Sequence, residues 1–342
     1  MSKLPTSRDV ARLAGVSQTT VSFVINQSRH VPETTRQRVL DAAERLGYQP
    51  HSGARALKNR RSKLLALVAP HRPGQDAAGQ MRYIDAIARA CRHNDYDVML
   101  VTADEGTDGI IRVASTALCD AVLVMEIQSN ERRTAALAQI PIPAVMIGVP
   151  DEHEGLNCVD FDFEAAGARC AELLAQAGHR RIGVVRETNP TIHEANYTRR
   201  FARGVERVVD ELSLEQIEIA AEAGAYGADQ AVKEAIHGET LGLIAMPPYP
   251  LSDLLHAMVA NGIQPGVDGS AIGFADTADL DSAPVAPTYL NMNREEAARQ
   301  IVELALAAVD RTAAKPGSVY LVPPRLVQGH SLMGSTPDQQ IP

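Results

Sequence analysis

Five short hydrogen-bonding side chains stand together near the start of the chain: Ser17, Gln18, Thr19, Thr20 and Ser22. Side chains of this length can hydrogen-bond to base edges and phosphates when a helix lies in the major groove of DNA. A helix that carries them on one face is therefore a candidate for reading a DNA sequence.

The surrounding segment, residues 9–26, predicts the element that would position them. Apolar residues fall at helical spacing in two short runs, which are separated by Gly15, Val16 and Ser17. Because glycine can adopt a left-handed turn and serine can cap a following helix, the pattern predicts helix, tight turn, helix. Any helical hairpin with a polar face would show the same pattern, so that plainer interpretation stays open. The apolar positions are Val10, Leu13, Ala14, Val16, Val21, Val24 and Ile25.

The other residues of segment 1–50 complete a compact head. Thr6 and Asp9 have the spacing of a capping box at the start of the first helix. A third helix is predicted to begin at Pro32 and to end at Gly47. Its apolar stripe is Val39, Leu40, Ala43 and Leu46. The spacing thus predicts three short helices around a small core.

The basic residues are concentrated at one end of the chain. Residues 1–63 hold twelve Lys or Arg and four Asp or Glu, which leaves 21 basic and 38 acidic residues in the remainder; the whole chain has a net charge of −9. Since phosphate neutralisation dominates affinity for nucleic acids, a basic head on an acidic body confines that affinity to the head. The charge distribution therefore favours DNA binding.

Residues 51–63 are small and basic, and they connect the head to the rest of the chain. Their composition is typical of a flexible linker. The alternative is a short hinge helix that orders on DNA, with Ala54 and Leu57 one turn apart and Leu57 wedged into a minor-groove base step.

Strand-like apolar runs alternate with helical stretches through residues 64–335. This alternation predicts an α/β fold with parallel sheets, and a polar stretch near residue 160 favours two lobes over one barrel. The lobes are predicted at about 64–161 with 290–322, and at about 162–289 with 323–335. Open α/β sheets bind ligands at the carboxyl ends of their strands, so the cleft between the lobes is the expected site. The predicted strands are 64–69, 97–102, 121–125, 144–148, 181–185, 241–246 and 270–275, and the predicted helices are 78–94, 164–177, 196–211, 251–261 and 294–310.

The sequence argues against an enzyme. It has no G-x-S-x-G elbow, no G-x-x-x-x-G-K-[ST] loop, no H-E-x-x-H and no C-x-x-C, so no catalytic centre, metal or cofactor is predicted. Asp160, Asp162 and Glu164 sit at a predicted strand-to-helix junction, where helix capping is the expected role. The four scattered cysteines are expected to be reduced. With no membrane-length apolar run and no secretory signal, the protein is expected to be cytoplasmic.

Several strings of residues match one known family pattern. In the head they are Asp9-Val10-Ala11, Ala14-Gly15-Val16-Ser17, Thr20-Val21-Ser22 and Leu46-Gly47-Tyr48, and in the body they are Val159-Asp160, Gly178-His179-Arg180 and Ile272-Gly273-Phe274. Through these strings the chain resembles the LacI/GalR family of bacterial transcriptional regulators over nearly its whole length.

The resemblance implies a repressor that binds a pseudopalindromic double-stranded DNA operator as a homodimer and is controlled by a small effector in the cleft. It implies base-reading positions at Gln18, Thr19 and Phe23, phosphate contacts near Thr6, Asn26 and His30, and intercalation of Leu57 at the centre of the operator. Phe23 stands where some relatives carry Arg or His. Its ring can pack on a thymine methyl group or, alternatively, on the head's own core.

The predicted cleft departs from the sugar-binding pattern of the family. Phe201 replaces an Arg of many relatives, Ala275 precedes Asp276 where they have paired acids, and Tyr249 ends a string that is usually Asn-Asp. Because these changes remove groups that satisfy sugar hydroxyls, the effector is less polar than a simple sugar, or other side chains take over, or no small effector binds. The replacements in the second alternative are Arg200, Arg203, Tyr197 and Asp276. The candidate effector-binding residues are Gln80, Tyr197, Phe201, Tyr249 and Asp276.

Overall fold

The computed structural model describes residues 5–25, 29–48, 61–70, 77–102, 105–116, 118–189, 195–312 and 316–334. The chain forms two compact units, which are residues 1–63 and residues 64–342. Three predicted DNA-contacting residues, Asn26, Ala54 and Leu57, lie outside the described residues. Among the helices that the structure describes, none is both long and apolar enough to cross a membrane.

The head contains the predicted helices α1 (Ser7–Ala14), α2 (Gln18–Ile25) and α3 (Glu33–Leu46). The Asp9 carboxylate accepts a hydrogen bond from the backbone N–H of Thr6 at 2.9 Å, which confirms the cap at the start of α1. Gly15 ends α1 with a φ of 66°, and the Ser17 hydroxyl accepts from the N–H of Thr20 at 3.0 Å at the start of α2. These contacts make the turn between α1 and α2, as the sequence predicts.

The core of the head differs from the predicted apolar stripes at two positions. Leu13 is 49% exposed and Leu40 is 39% exposed, so both were wrongly assigned to the core. Ala11 and Ala42 are buried instead, so smaller side chains fill these places in the core of the head. The buried residues of the head are Val10, Ala11, Ala14, Val21, Val24, Val39, Ala42 and Ala43.

The body is built on two six-stranded sheets, which confirms the predicted α/β class. The first sheet has the order β11-β5-β4-β3-β1-β2 and is parallel throughout. The second has the order β12-β10-β9-β8-β6-β7, in which only β12 is antiparallel to its neighbour. The strands are β1 (Leu64–Val68), β2 (Asp97–Val101), β3 (Ala121–Val124), β4 (Ala144–Ile147), β5 (Asn157–Phe161), β6 (Arg181–Glu187), β7 (Glu215–Ala221), β8 (Gly242–Ala245), β9 (Ser270–Ala275), β10 (Tyr289–Asn291), β11 (Val319–Val322) and β12 (Arg325–Val327).

Helices cover both sheets, and the chain passes from one sheet to the other three times. The passages follow Phe161, Asn291 and Val322, because β5 and β11 lie in the first sheet whereas β10 and β12 lie in the second. The predicted return to the first lobe at about residue 290 is therefore slightly early. The helices are α4 (Ala77–His93), α5 (Gly106–Ser115), α6 (Thr134–Leu137), α7 (Phe163–Gln176), α8 (Asn196–Leu212), α9 (Ala225–His237), α10 (Leu251–Ala260) and α11 (Arg294–Asp310).

Helices α7 and α8 approach each other closely enough for their backbones to touch. A Cβ atom at Gly167 would lie 2.0 Å from the carbonyl oxygen of Phe201, and one at Gly204 would lie 2.0 Å from that of Glu164. Only glycine fits at this distance. The contact fixes α8, whose first turns face the junction between the two lobes.

Candidate DNA-reading face and inter-lobe cleft

One face of α2 is available to DNA. Successive residues of a helix are about 100° apart, so Gln18, Thr19, Ser22 and Phe23 share one side. Gln18 and Thr19 are exposed, and Ser22 and Phe23 are partly exposed. Buried apolar residues of α2, such as Val21, lie on the opposite side. We call the four outward residues the reading face.

Hydrogen bonds fix several of the predicted DNA-contacting side chains. The Gln18 amide donates to the Ser7 hydroxyl at 2.7 Å, which ties the start of the reading face to α1. The hydroxyls of Ser17 and Thr20 lie 2.8 Å apart, so both also serve the turn before α2. Thr6 donates its hydroxyl to Asp9 at 2.6 Å. His30 is exposed beyond the end of α2.

Phe23 belongs to the reading face and not to the core of the head. Within the described part of the head, it is not among the residues that form the core or pack against it. The guanidinium carbon of Arg29 lies 5.8 Å from the centroid of its ring. Packing of Phe23 on a thymine methyl group stays a prediction.

Five aromatic rings meet where the two lobes of the body join. We call this group the aromatic cluster: Tyr83 of α4, Phe161 of β5, Phe163 of α7, Tyr197 of α8 and Phe274 of β9. Neighbouring ring centroids are 5.4 to 6.1 Å apart, a spacing at which aromatic rings attract one another. Because Tyr83 and Phe161 come from the first lobe and Phe274 comes from the second, the cluster spans the junction.

Ion pairs surround the aromatic cluster and also join the lobes. Arg294 at the start of α11 lies 2.7 Å from Asp276, which follows β9. Arg82 of α4 lies 3.9 Å from Asp276 and pairs with Asp279. On the other side, Arg200 of α8 lies 2.7 Å from Asp160 of β5. The described part of the junction between the lobes therefore holds charged groups as well as rings.

Asp160 and Arg200 form the more deeply buried of these pairs. Their side chains are 13% and 9% exposed, and the Asp160 carboxylate also accepts the N–H of Phe161 at 2.9 Å. Burial raises the pKa of Asp160 to about 6, and the positive charge of Arg200 opposes that rise. The capping role predicted for Asp160 is therefore wrong, whereas Asp162 does cap α7 by accepting the N–H of Ala165 at 3.0 Å.

The Tyr83 hydroxyl is a buried polar group within this junction. It has no hydrogen-bond partner among the residues that the structure describes. Burial, with the nearby negative charge of Asp160, raises its pKa well above the ordinary value of 10.0. Because a buried hydroxyl normally has a partner, Tyr83 is a group that a bound molecule could satisfy.

The structure separates the predicted effector residues into two groups. Asp276 and Tyr197 lie at the junction of the lobes, and Gln80 donates to Glu126 at 3.3 Å within the first lobe. Phe201 is fully buried in the core, and Tyr249 is buried in the second lobe with its hydroxyl 3.2 Å from a carbonyl oxygen. Phe201 and Tyr249 are therefore buried in this structure, and their part in effector binding stays a prediction.

Arg200 and Phe201 are neighbours on α8, but their side chains have different partners. Adjacent residues on a helix point about 100° apart, so the core takes Phe201 while Arg200 reaches Asp160. Arg203, the other basic candidate, is 57% exposed and lies 3.5 Å from Glu164 at the surface. Arginine next to the expected position was the signal that could have located the buried pair.

Each of the two units of the chain matches a known protein family or domain. Residues 6–51 match the model of bacterial regulatory proteins of the lacI family, and residues 171–332 match a periplasmic binding protein-like domain. The chain is 28% identical to catabolite control protein A of Priestia megaterium over 60% of its own length and 61% of that protein's length. The chain thus spans about three-fifths of that relative. It is also 26% identical to the HTH-type transcriptional regulator DegA of Bacillus subtilis (strain 168), over 94% of this chain and 96% of DegA.

The fold is also similar to that of a solved DNA complex. A lac repressor dimer bound to operator and an anti-inducer has a TM-score of 0.79 and 21% identity to this chain, with 97% of this chain and 100% of that chain covered. Fold and reading face together define a helix-turn-helix protein with a two-lobed body like that of periplasmic binding proteins. The head thus matches the lacI family of bacterial regulatory proteins, and the body matches a periplasmic binding protein-like domain.

Proposed function

We propose that the protein is a transcriptional repressor that binds a pseudopalindromic DNA operator as a homodimer. The reading face carries this proposal, because α2 turns Gln18, Thr19, Ser22 and Phe23 outward while its apolar side is buried. A helix of this kind fits the major groove and can reach base edges with its outward side chains. The similar lac repressor was solved as a dimer on its operator, which supports the same arrangement here.

Basic charge on the head supports the proposal independently. The first 63 residues have a net charge of +8, whereas the remainder has a net charge of −17. Phosphate contacts supply affinity without sequence preference, and the reading face would add the preference. Leu57 as a minor-groove wedge stays a prediction, as do the phosphate contacts of Thr6, Asn26 and His30.

We further infer that a small effector binds between the lobes and changes operator affinity. The junction between the lobes holds the Tyr83 hydroxyl, the Asp160–Arg200 pair and the carboxylate of Asp276. This polar set supports the alternative in which Arg200 and Asp276 replace the groups that the sugar-binding pattern lacks here. A ligand can shift operator affinity only if it binds two conformations of the body unequally.

Selection of bound duplexes from a random DNA library, at two salt concentrations, tests the proposal. We expect a palindromic consensus for the wild type and a weakened consensus for Gln18→Ala with Thr19→Ala. Thr34→Ala removes an exposed side chain of α3 and should leave the consensus unchanged. Salt-sensitive binding without any consensus would overturn the proposal. The selected operator would also serve as the probe in a screen for effectors.

A further inference from the structure

Arg29 lies over the ring of Phe23, a contact that the sequence pattern does not predict. The guanidinium carbon is 5.8 Å from the ring centroid, within the range of a cation–π interaction. Arg29 is exposed and Phe23 is partly exposed. We propose that Arg29 reads a guanine base in the major groove and that Phe23 positions it. The proposal rests on the DNA-binding function proposed above.

The location of Phe23 places this cation on the side of α2 that would enter the groove. Phe23 shares its side of the helix with Gln18, Thr19 and Ser22, so a guanidinium on its ring lies beside the base-reading side chains. Helix α2 itself contains no Lys or Arg. The phenyl ring cannot donate a hydrogen bond to a base. Arg29 therefore brings a charged donor to a reading face that otherwise lacks one.

The contact with Phe23 favours guanine over a phosphate as the partner of Arg29. Guanine presents two acceptors, O6 and N7, which match the paired donors of one guanidinium. The cation–π contact with Phe23 restricts the positions of the guanidinium, so less side-chain freedom is lost when both hydrogen bonds form. A phosphate contact needs charge but no fixed plane, and a flexible surface arginine would suffice for it.

The test uses the full chain and the library selection, applied to the wild type, Arg29→Ala, Arg29→Lys and Phe23→Leu. In each half-site selected by the wild type, we expect one position at which a G·C pair is preferred over the other base pairs by about 5- to 150-fold. This is the range of discrimination that one bidentate contact gives. Arg29→Ala should abolish this preference, and Arg29→Lys should lose most of it because an ammonium lacks the paired donors. Phe23→Leu should weaken the same preference although Arg29 is retained.

Arg38→Ala is the matched control, because Arg38 is an exposed arginine of α3. Its loss should weaken binding equally on all sequences and leave the consensus intact. Arg29→Ala could instead weaken binding equally on all sequences and reduce the salt dependence of affinity by about one phosphate contact. That result would mean that Arg29 contacts only the DNA backbone, and it would overturn the inference. If Phe23→Leu leaves the guanine preference intact, Phe23 does not position Arg29. Absence of any wild-type consensus would instead overturn the DNA-reading function together with this inference.

Discussion

The Asp160–Arg200 pair is the residue-level feature that most clearly distinguishes this body from the sequence-based expectation. The two charges lie in an apolar junction near Phe161, where an ion pair is retained only if each partner satisfies the other. The Asp160 carboxylate accepts a backbone N–H as well, so most of its hydrogen-bonding capacity is used. A ligand that bound Asp160 or Arg200 would replace the contact between these two residues with contacts to the ligand.

Asp160 should make stability depend on pH in a defined direction. Because folding raises its pKa from 3.8 to about 6, its contribution to stability is fully present below about pH 4 and is lost as the pH rises through 6. Urea unfolding of the wild type and of Asp160→Asn between pH 4.5 and 7.5 measures this contribution. The unfolding free energy of the wild type should fall by about 1–3 kcal/mol relative to that of the variant as the pH rises. The opposite slope would show that the charge of Arg200 outweighs burial.

At the level of elements, the close contact of α7 and α8 holds the start of α8 at the junction. Gly167→Ala or Gly204→Ala would place a methyl group against a backbone carbonyl of the facing helix. We expect each substitution to lower the unfolding free energy by about 2–3 kcal/mol, because two backbones cannot yield as a side chain can. Thermal and urea unfolding check this expectation.

Gly238→Ala is the matched control for the helix contact. A Cβ atom at Gly238 would lie 3.2 Å from the Cδ1 atom of Ile217, the movable end of a side chain, and its φ is −80°. A loss of under about 1 kcal/mol is expected there. Equal losses at Gly238 and Gly167 would mean that the α7–α8 contact is not unusually tight.

Sequence analysis located those strands whose pattern of apolar residues matches their burial in the folded protein. Strands such as β3 and β8 are continuous apolar runs because helices bury both of their faces. β5 was missed because its polar neighbours hide a short run, and β7 was missed because alternate residues of this edge strand are exposed. At the junction of the lobes, Arg200 was only one of several candidates from the sequence and Tyr83 was not among them, since their roles depend on contacts between distant segments.

On the scale of the whole molecule, the body offers apolar surface for a second copy of the chain. Leu100 is 41% exposed on β2, an edge strand of the first sheet, and Met81 is 58% exposed on α4. On β11, at the opposite edge of the same sheet, three neighbouring side chains are exposed: Val319 (42%), Tyr320 (40%) and Leu321 (37%). Exposed apolar side chains on an edge strand favour association, so the two edges are competing candidates for the dimer interface.

We place the interface at the β2 edge, where exposed apolar side chains come from a strand and from a helix that packs against it. Leu100→Glu should therefore convert the proposed dimer to a monomer in analytical ultracentrifugation, because it would bring two carboxylates into an apolar contact. The monomer should bind one half-site at most, so its affinity for a full palindrome should fall by at least about 100-fold, as expected when linked binding is lost. Tyr320→Glu, which makes the same change at the opposite edge, should remain a dimer. If Tyr320→Glu dissociates while Leu100→Glu does not, the second copy docks on β11 instead, and the two recognition helices would be brought together through that edge.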